Sequence, residues 1–194
     1  MQSVLSNMMK ELDNILKDYE YCLMEKSHIK QVVNYGIFLS KKENADVNIV
    51  IPATVFHDIG RYTGNIHHHT EIDYKLLLSI LKNFSYTKSQ ITSIYECIRR
   101  HSIHSREKPS TIEQKVVFDA DNLTLITPYG TVRWFFMAKE WVGITKIEDA
   151  IKNLGTIFER INRGEFFYTI TAKEIVKNNS FYRDYIRSLL LEIR

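Results

Sequence analysis

The sequence is short of the residues that punctuate, cross-link or anchor a chain. Its 194 residues include only three prolines and seven glycines, and no Gly/Ser-rich or low-complexity stretch offers an interdomain linker. The two cysteines, Cys22 and Cys97, lack CxxC spacing, which argues against a disulfide scaffold and a thiolate zinc site. Apolar runs such as Ile49–Pro52 and Leu189–Leu191 fall far below the roughly 20 residues needed to cross a bilayer. The opening stretch mixes polar and apolar residues with acids at Glu11 and Asp13, unlike a secretory leader or transit peptide, so a cytoplasmic location is expected. Charge of one sign is not in excess either. The 26 Lys+Arg and 23 Asp+Glu leave +3, spread without a basic block, which gives no electrostatic footprint for nucleic acid.

Hydrophobic residues make up 44% of the chain and aromatics 12%, enough apolar surface to offset the entropy lost on folding. One domain spanning 1–194 is expected. Apolar positions recur at steps of three and four, as in Val4, Leu5, Met8, Met9, Leu12, Ile15 and Leu16, and convincing period-two strands are missing. The expected architecture is therefore all-α, with about ten helices and no significant sheet.

The spacing predicts a second helix after Ser27 as N-cap, presenting Ile29, Val32, Val33 and Phe38 to the core. A third starts at Pro52 and ends near Gly60, and a fourth runs from Thr70 to about Leu81. A fifth carries Ile91, Ile94, Ile98 and His101 on one stripe. Ser110 and Glu113 have capping-box spacing and announce a helix through Val116, Val117, Ala120, Leu123 and Thr124, stopped by Pro128-Tyr-Gly130. Further helices are expected around Thr131–Trp141, Lys146–Arg163, Thr169–Lys177 and Phe181–Ile193.

Seven histidines are the unusual component, at 28, 57, 67, 68, 69, 101 and 104. Nitrogen and oxygen donors gather at His28, at His57-Asp58, between His67 and Asp73, at His101, and at Asp119-Ala-Asp121. A lone histidine is more often a core or surface residue than a ligand. Here Val55-Phe56 should bury the turn that carries His57-Asp58, and a buried His-Asp pair needs a partner. Imidazoles with carboxylates and no thiolate suit Mn, Fe, Ni, Co or Zn, and such a site can lower the pKa of a bound water. Periodicity leaves Asp119 and Asp121 equally placed, since both flank the stripe of Val116, Val117, Ala120 and Leu123.

Taken together, these residues resemble the HD-domain metal-dependent phosphohydrolases, in particular their small stand-alone members, whose motif is a His, a His-Asp doublet and a distant Asp. His28, His57-Asp58 and Asp121 match it, and so do the stretches Phe56-His-Asp-Ile-Gly-Arg61, His101-Ser102, Val116-Val-Phe-Asp-Ala-Asp-Asn-Leu123 and Tyr168-Thr-Ile-Thr-Ala-Lys173. The resemblance is densest over 28–125, with the helices of 131–194 completing the bundle. It implies that His28, His57, Asp58 and Asp121 bind one divalent cation (Mn, Fe, Ni, Co, Zn or Mg). It also implies that Asp58 is able to bridge to a second ion held by His68 or His69 with His101. Asp119 is then the residue expected to orient a ligating imidazole.

The activity implied is hydrolysis of a phosphate ester or anhydride, of a nucleotide above all, with Asp58 and His101 as catalytic residues. A histidine suits proton transfer near neutral pH. Arg61 is the first choice for a phosphate contact, with Lys75 and Arg133 as alternatives. Two departures stand out. Some nucleotidase members carry a catalytic carboxylate just after the doublet, where this chain has Ile59, Gly60 and Arg61. Beyond the distant Asp, Thr124-Leu-Ile-Thr-Pro-Tyr-Gly130 replaces the Gly-rich stretch of many members. The missing acid supports a second reading, a nucleotide- or phosphate-sensing metal module without turnover. A third, a helical nucleic-acid binder using Arg160, Arg163, Lys173 and Lys177, is opposed by the interleaved Glu159, Glu165 and Glu174. A homodimer is compatible with the sequence and not required by it.

Overall fold

The three-and-four spacing of apolar residues is realised as helix after helix. A computed structural model of the chain describes residues 2–20, 22–62, 70 and 72–192, and no strand occurs among them. In chain order the helices are α1 (Gln2–Leu16), α2 (Cys22–Glu43), α3 (Val47–Val55), α4 (Ile59–Tyr62) and α5 (Tyr74–Leu81). After a 3-10 turn at Lys82–Phe84 come α6 (Lys88–Arg99), α7 (Ile112–Leu125) and α8 (Pro128–Val142). Next are α9 (Ile147–Asn162), α10 (Ile170–Asn178) and α11 (Ser180–Glu192). The all-α architecture expected from the sequence is the one found. No helix among the described residues is long and apolar enough to cross a membrane.

Several helix ends differ from expectation, each for a local reason. The second helix begins at Cys22, not after Ser27, whose hydroxyl donates back to the Leu23 carbonyl at 3.1 Å and caps nothing. Phe38, expected in the core, is exposed. Helix α3 starts five residues before Pro52, because Asp46 caps it by accepting the Asn48 N–H at 2.8 Å. Pro52 forfeits only its own bond to the carbonyl four residues back, and the helix tolerates it. The capping box of α7 sits one residue later than expected and consists of Thr111 and Gln114. Pro128 opens α8 where a stop was expected, with Thr127 accepting the Gly130 N–H at 3.0 Å.

Helix α2 packs most extensively on α7 and α3, and α3 also lies against α6 and α7. The buried apolar cluster runs from Met8 and Leu12 in α1, through Ile29 and Val32 in α2 and Val116 and Leu123 in α7, to Phe158 in α9 and Ile186 in α11. Each large apolar side chain withdrawn fully from water contributes about 1.5–3 kcal/mol. Where α8 leaves the end of α7 the backbones nearly touch. A Cβ on Gly130 would stand 1.9 Å from the Thr124 carbonyl oxygen, so only glycine fits. That junction brings Arg133 of α8 and Asp121 of α7 to the same wall of the molecule.

Candidate metal centre

His28 lies on the core-facing side of α2, and Asp121 lies on α7, the helix that α2 grips most closely. His57 and Asp58 occupy the turn between α3 and α4. His101 follows the end of α6, two residues beyond the helix that was expected to carry it. His28, His57, Asp58 and His101 are almost wholly buried, and the Asp121 side chain keeps 24% of its exposure.

The ring nitrogens show what the cluster can do. His57 Nδ1 lies 2.8 Å from the Thr54 carbonyl oxygen, and His101 Nδ1 lies 2.6 Å from that of Ile98. Both acceptors are carbonyls of a helix's last turn, and that of Ile98 also accepts the His101 N–H at 3.4 Å. A carbonyl only accepts, so each Nδ1 carries the proton and each Nε2 of the neutral ring presents a lone pair. His28 follows the same logic. The Thr124 hydroxyl donates to the Asp121 carbonyl oxygen at 2.7 Å, leaving its oxygen to accept from His28 Nδ1 at 3.4 Å.

Three Nε2 lone pairs therefore converge with two carboxylates. His28 Nε2 is 3.2 Å from His57 Nε2 and 3.3 Å from Asp121 Oδ1, and His57 Nε2 is 3.4 Å from Asp58 Oδ2 and 3.7 Å from Asp121 Oδ1. His101 Nε2 faces Asp58 Oδ1 at 3.6 Å. Acceptors aimed at acceptors repel unless a cation or protons lie between them. The separations match those between neighbouring ligand atoms around a cation with bonds of about 2.0–2.2 Å. The donor set fits a divalent ion: His28, His57 and Asp58 form one group able to hold it, and His57, His101 and Asp121 another.

Electrostatics sharpen this. Burial would raise the Asp58 carboxyl, yet Arg61, with Nε at 2.9 Å, and His57 hold it well below the usual carboxylate range. Burial likewise acts against the charged form of Asp121, and His28 and His57 override it downward. For His28 burial prevails, reinforced by Arg133, and the ring is pushed toward its neutral form. Burial presses His57 the same way, but Asp58 and Asp121 reverse the direction and raise it.

The surroundings contain residues that sequence reasoning did not single out. Glu25, fully buried in α2, accepts Arg133 Nε at 3.0 Å, Arg133 Nη2 at 2.8 Å and the Tyr62 hydroxyl at 2.7 Å. Burial opposes the charge on Glu25, and Arg133 nevertheless holds its carboxyl low. Trp141 lies under both arginines, 4.5 Å from the Arg61 guanidinium carbon and 4.4 Å from that of Arg133. A signal for Glu25 was available: with Ile29, Val32 and Gly36 it occupies the buried register of α2, where an acid needs a partner.

A cleft of about 350 Å³ opens over Asp58 and Asp121, walled by Arg61, His104, Asn122, Trp134, Trp141 and Arg160 among others, with Arg133 also on its lining. Lys75 does not belong to it. It is exposed at the start of α5, a helix outside the cleft, which corrects its choice as a phosphate contact. Asp119 is corrected as well. Among the described residues it orients no imidazole, because its carboxylate accepts the Tyr168 N–H at 2.9 Å and the Thr169 N–H at 2.7 Å at the start of α10. Its burial pushes it up to about 6, against the pull of those donors. His68 and His69 lie outside the described residues.

Comparison with known proteins agrees with this geometry. The HD domain family matches residues 26–126, and the chain belongs to that family. The uncharacterized protein YpgQ of Bacillus subtilis is 26% identical over 172 residues, covering 86% of this chain and 82% of that protein. The crystal structure of YpgQ in complex with ADP superposes with a TM-score of 0.74 at 23% identity, over 98% of this chain and 95% of that one. A predicted HD superfamily hydrolase from an uncultured Thermotogales bacterium gives 0.66 at 21% identity, over 99% and 92%. The fold is that of the HD-superfamily hydrolases.

Proposed function

We propose that this protein is a metal-dependent phosphohydrolase that cleaves a phosphate ester or anhydride of a nucleotide. The observation that carries the reading is the convergence of three imidazole lone pairs and two carboxylates at the floor of a cleft lined by arginines. His28, His57, Asp58 and Asp121 would hold the ion. A divalent cation bound there supplies Lewis acidity, activating water and offsetting charge on the phosphoryl group. Arg61 and Arg133 orient the phosphate: Trp141 restrains both guanidiniums, and a planar fork matches phosphate oxygens. His101, held by Ile98 and facing Asp58, keeps its Nε2 lone pair free to take up a proton from the attacking water, which the resulting imidazolium would hand on to the leaving oxygen.

The nucleotide part of the proposal draws support from the ADP complex of YpgQ and from the size of the cleft, which exceeds what a bare phosphate requires. The whole of 1–194 acts as one unit in this reading, since Arg133 and Trp141 of α8 and Arg160 of α9 complete the cleft. A second reading, a phosphate-sensing module without turnover, is favoured by the absence of an acid at Ile59, Gly60 and Arg61. One experiment separates them: metal analysis of the purified protein, with phosphate or pyrophosphate release assayed over nucleoside mono-, di- and triphosphates, cyclic dinucleotides and simple phosphoesters. Stoichiometric metal and release that vanishes in His57→Ala and Asp58→Ala, with the helical circular dichroism retained, support hydrolysis. Metal with nucleotide binding and no release supports the sensor, and absence of metal binding refutes both.

A further inference from the structure

Arg133 Nη2 is shared unequally between two carboxylates. It lies 2.8 Å from Glu25 Oε2 and 3.6 Å from Asp58 Oδ2. That Asp58 oxygen is also the one that faces His57 Nε2 at 3.4 Å and His28 Nε2 at 3.9 Å. The guanidinium is therefore one short step from the oxygen that the proposed ion needs. Glu25 takes Nε and Nη2 together in a two-point fork, and Tyr62 steadies its second oxygen.

We propose that Glu25 is a positioning residue: by claiming two nitrogens of Arg133 it keeps that cation off Asp58 Oδ2 and leaves this oxygen to a divalent ion beside His28 and His57. The inference rests on the metal reading above. Its physical basis is charge and reach. Without Glu25, Arg133 is a buried cation whose nearest anion is Asp58, and a charge-assisted bond closes to about 2.7–2.9 Å when nothing opposes it. Asp58 would then give up a lone pair to a guanidinium, and the arriving ion would meet an uncompensated positive charge. A glutamine in place of Glu25 keeps the shape but removes the competing charge.

The test is calorimetric titration with Mn²⁺ of the parent protein, Glu25→Gln, and the double variant Glu25→Gln/Arg133→Gln, together with a crystal structure of metal-free Glu25→Gln. In Glu25→Gln, Mn²⁺ affinity falls by about tenfold or more, the scale seen when the partner that orients a ligand is lost. The double variant, which removes the stray cation too, recovers most of it. The crystal structure shows Arg133 in direct contact with Asp58. Parental affinity in Glu25→Gln with Arg133 still set back from Asp58 overturns the proposal, and so does equal weakening in the single and double variants, the mark of a merely structural role. If Glu25→Gln does not fold, Glu25→Asp, which keeps the charge on a shorter arm, must bring Arg133 closer to Asp58 and weaken Mn²⁺ binding, and an unchanged variant overturns the idea. A parent protein that binds no Mn²⁺ refutes the metal reading, and the position of Arg133 in Glu25→Gln then decides the steering role by itself.

Discussion

Two aspartates two residues apart on α7 have unrelated jobs because they face different neighbours. Asp121 looks at imidazoles, whereas Asp119 looks at the amides that open α10. The period of the sequence left both open, since the deciding partners, Tyr168 and Thr169, lie some fifty residues away. Asp121→Asn should abolish stoichiometric Mn²⁺ binding. Asp119→Asn should keep it and instead lose about 1–3 kcal/mol of stability, because an amide nitrogen cannot accept the second N–H. Calorimetry and urea unfolding on the two variants check the contrast, and the reverse order would show that the ligand is Asp119.

Glu25 gives the residue scale a pH dependence. The groups facing it are Arg133, Tyr62, His28 and Asp58, and its carboxyl is held below the ordinary glutamate value of about 4.3. A depressed acid contributes stability above its unfolded pKa and loses it as the pH falls through the folded one. Replacing the pair by Glu25→Leu/Arg133→Met should therefore flatten the acid limb of a stability profile measured by urea unfolding between about pH 6 and pH 3. An unchanged limb would mean that Glu25 takes no part in it.

At the scale of the element, the stripes were legible and the ends were not. The apolar faces of α1, α6 and α7 read directly from three-and-four spacing, since burial alone dictates them. Ends depend on which of several polar residues wins the orphan backbone groups. Ser27 spent its hydroxyl on Leu23, Asp46 outran Pro52, and Thr127 turned Pro128 from a stop into a start. The same junction carries a steric demand. Gly130→Ala forces a methyl into the Thr124 carbonyl and should cost about 1–3 kcal/mol or more. Because Thr124 also holds His28, Mn²⁺ affinity should fall with it, and thermal melts with and without Mn²⁺ measure both effects.

At the scale of the whole molecule, the floor of the cleft was legible, as were Arg61 and Arg133 on its lining, and the rest of its walls were not. Histidines and aspartates announce themselves by type, whereas Glu25, Trp141 and Arg160 acquire their places only when α2, α8 and α9 meet. A ligand that binds the folded chain alone stabilises it by mass action, about 2.7 kcal/mol at a hundredfold excess over Kd. For a chain of this length that is a rise in Tm of about 5–10 °C, at 2–4 °C per kcal/mol. Mn²⁺ should produce such a rise, EDTA should reverse it, and Asp58→Ala should show neither; a Tm indifferent to Mn²⁺ would contradict the metal centre.

His57 and His101 are each fastened to a main-chain oxygen three residues back, at the closing turns of α3 and α6. Swinging either ring away would break that bond, so an ion held by these rings would couple its release to the order of the two turns. Amide hydrogen exchange at the two helix ends should slow when Mn²⁺ is added, while the exposed outer turns of α1 keep their native rate.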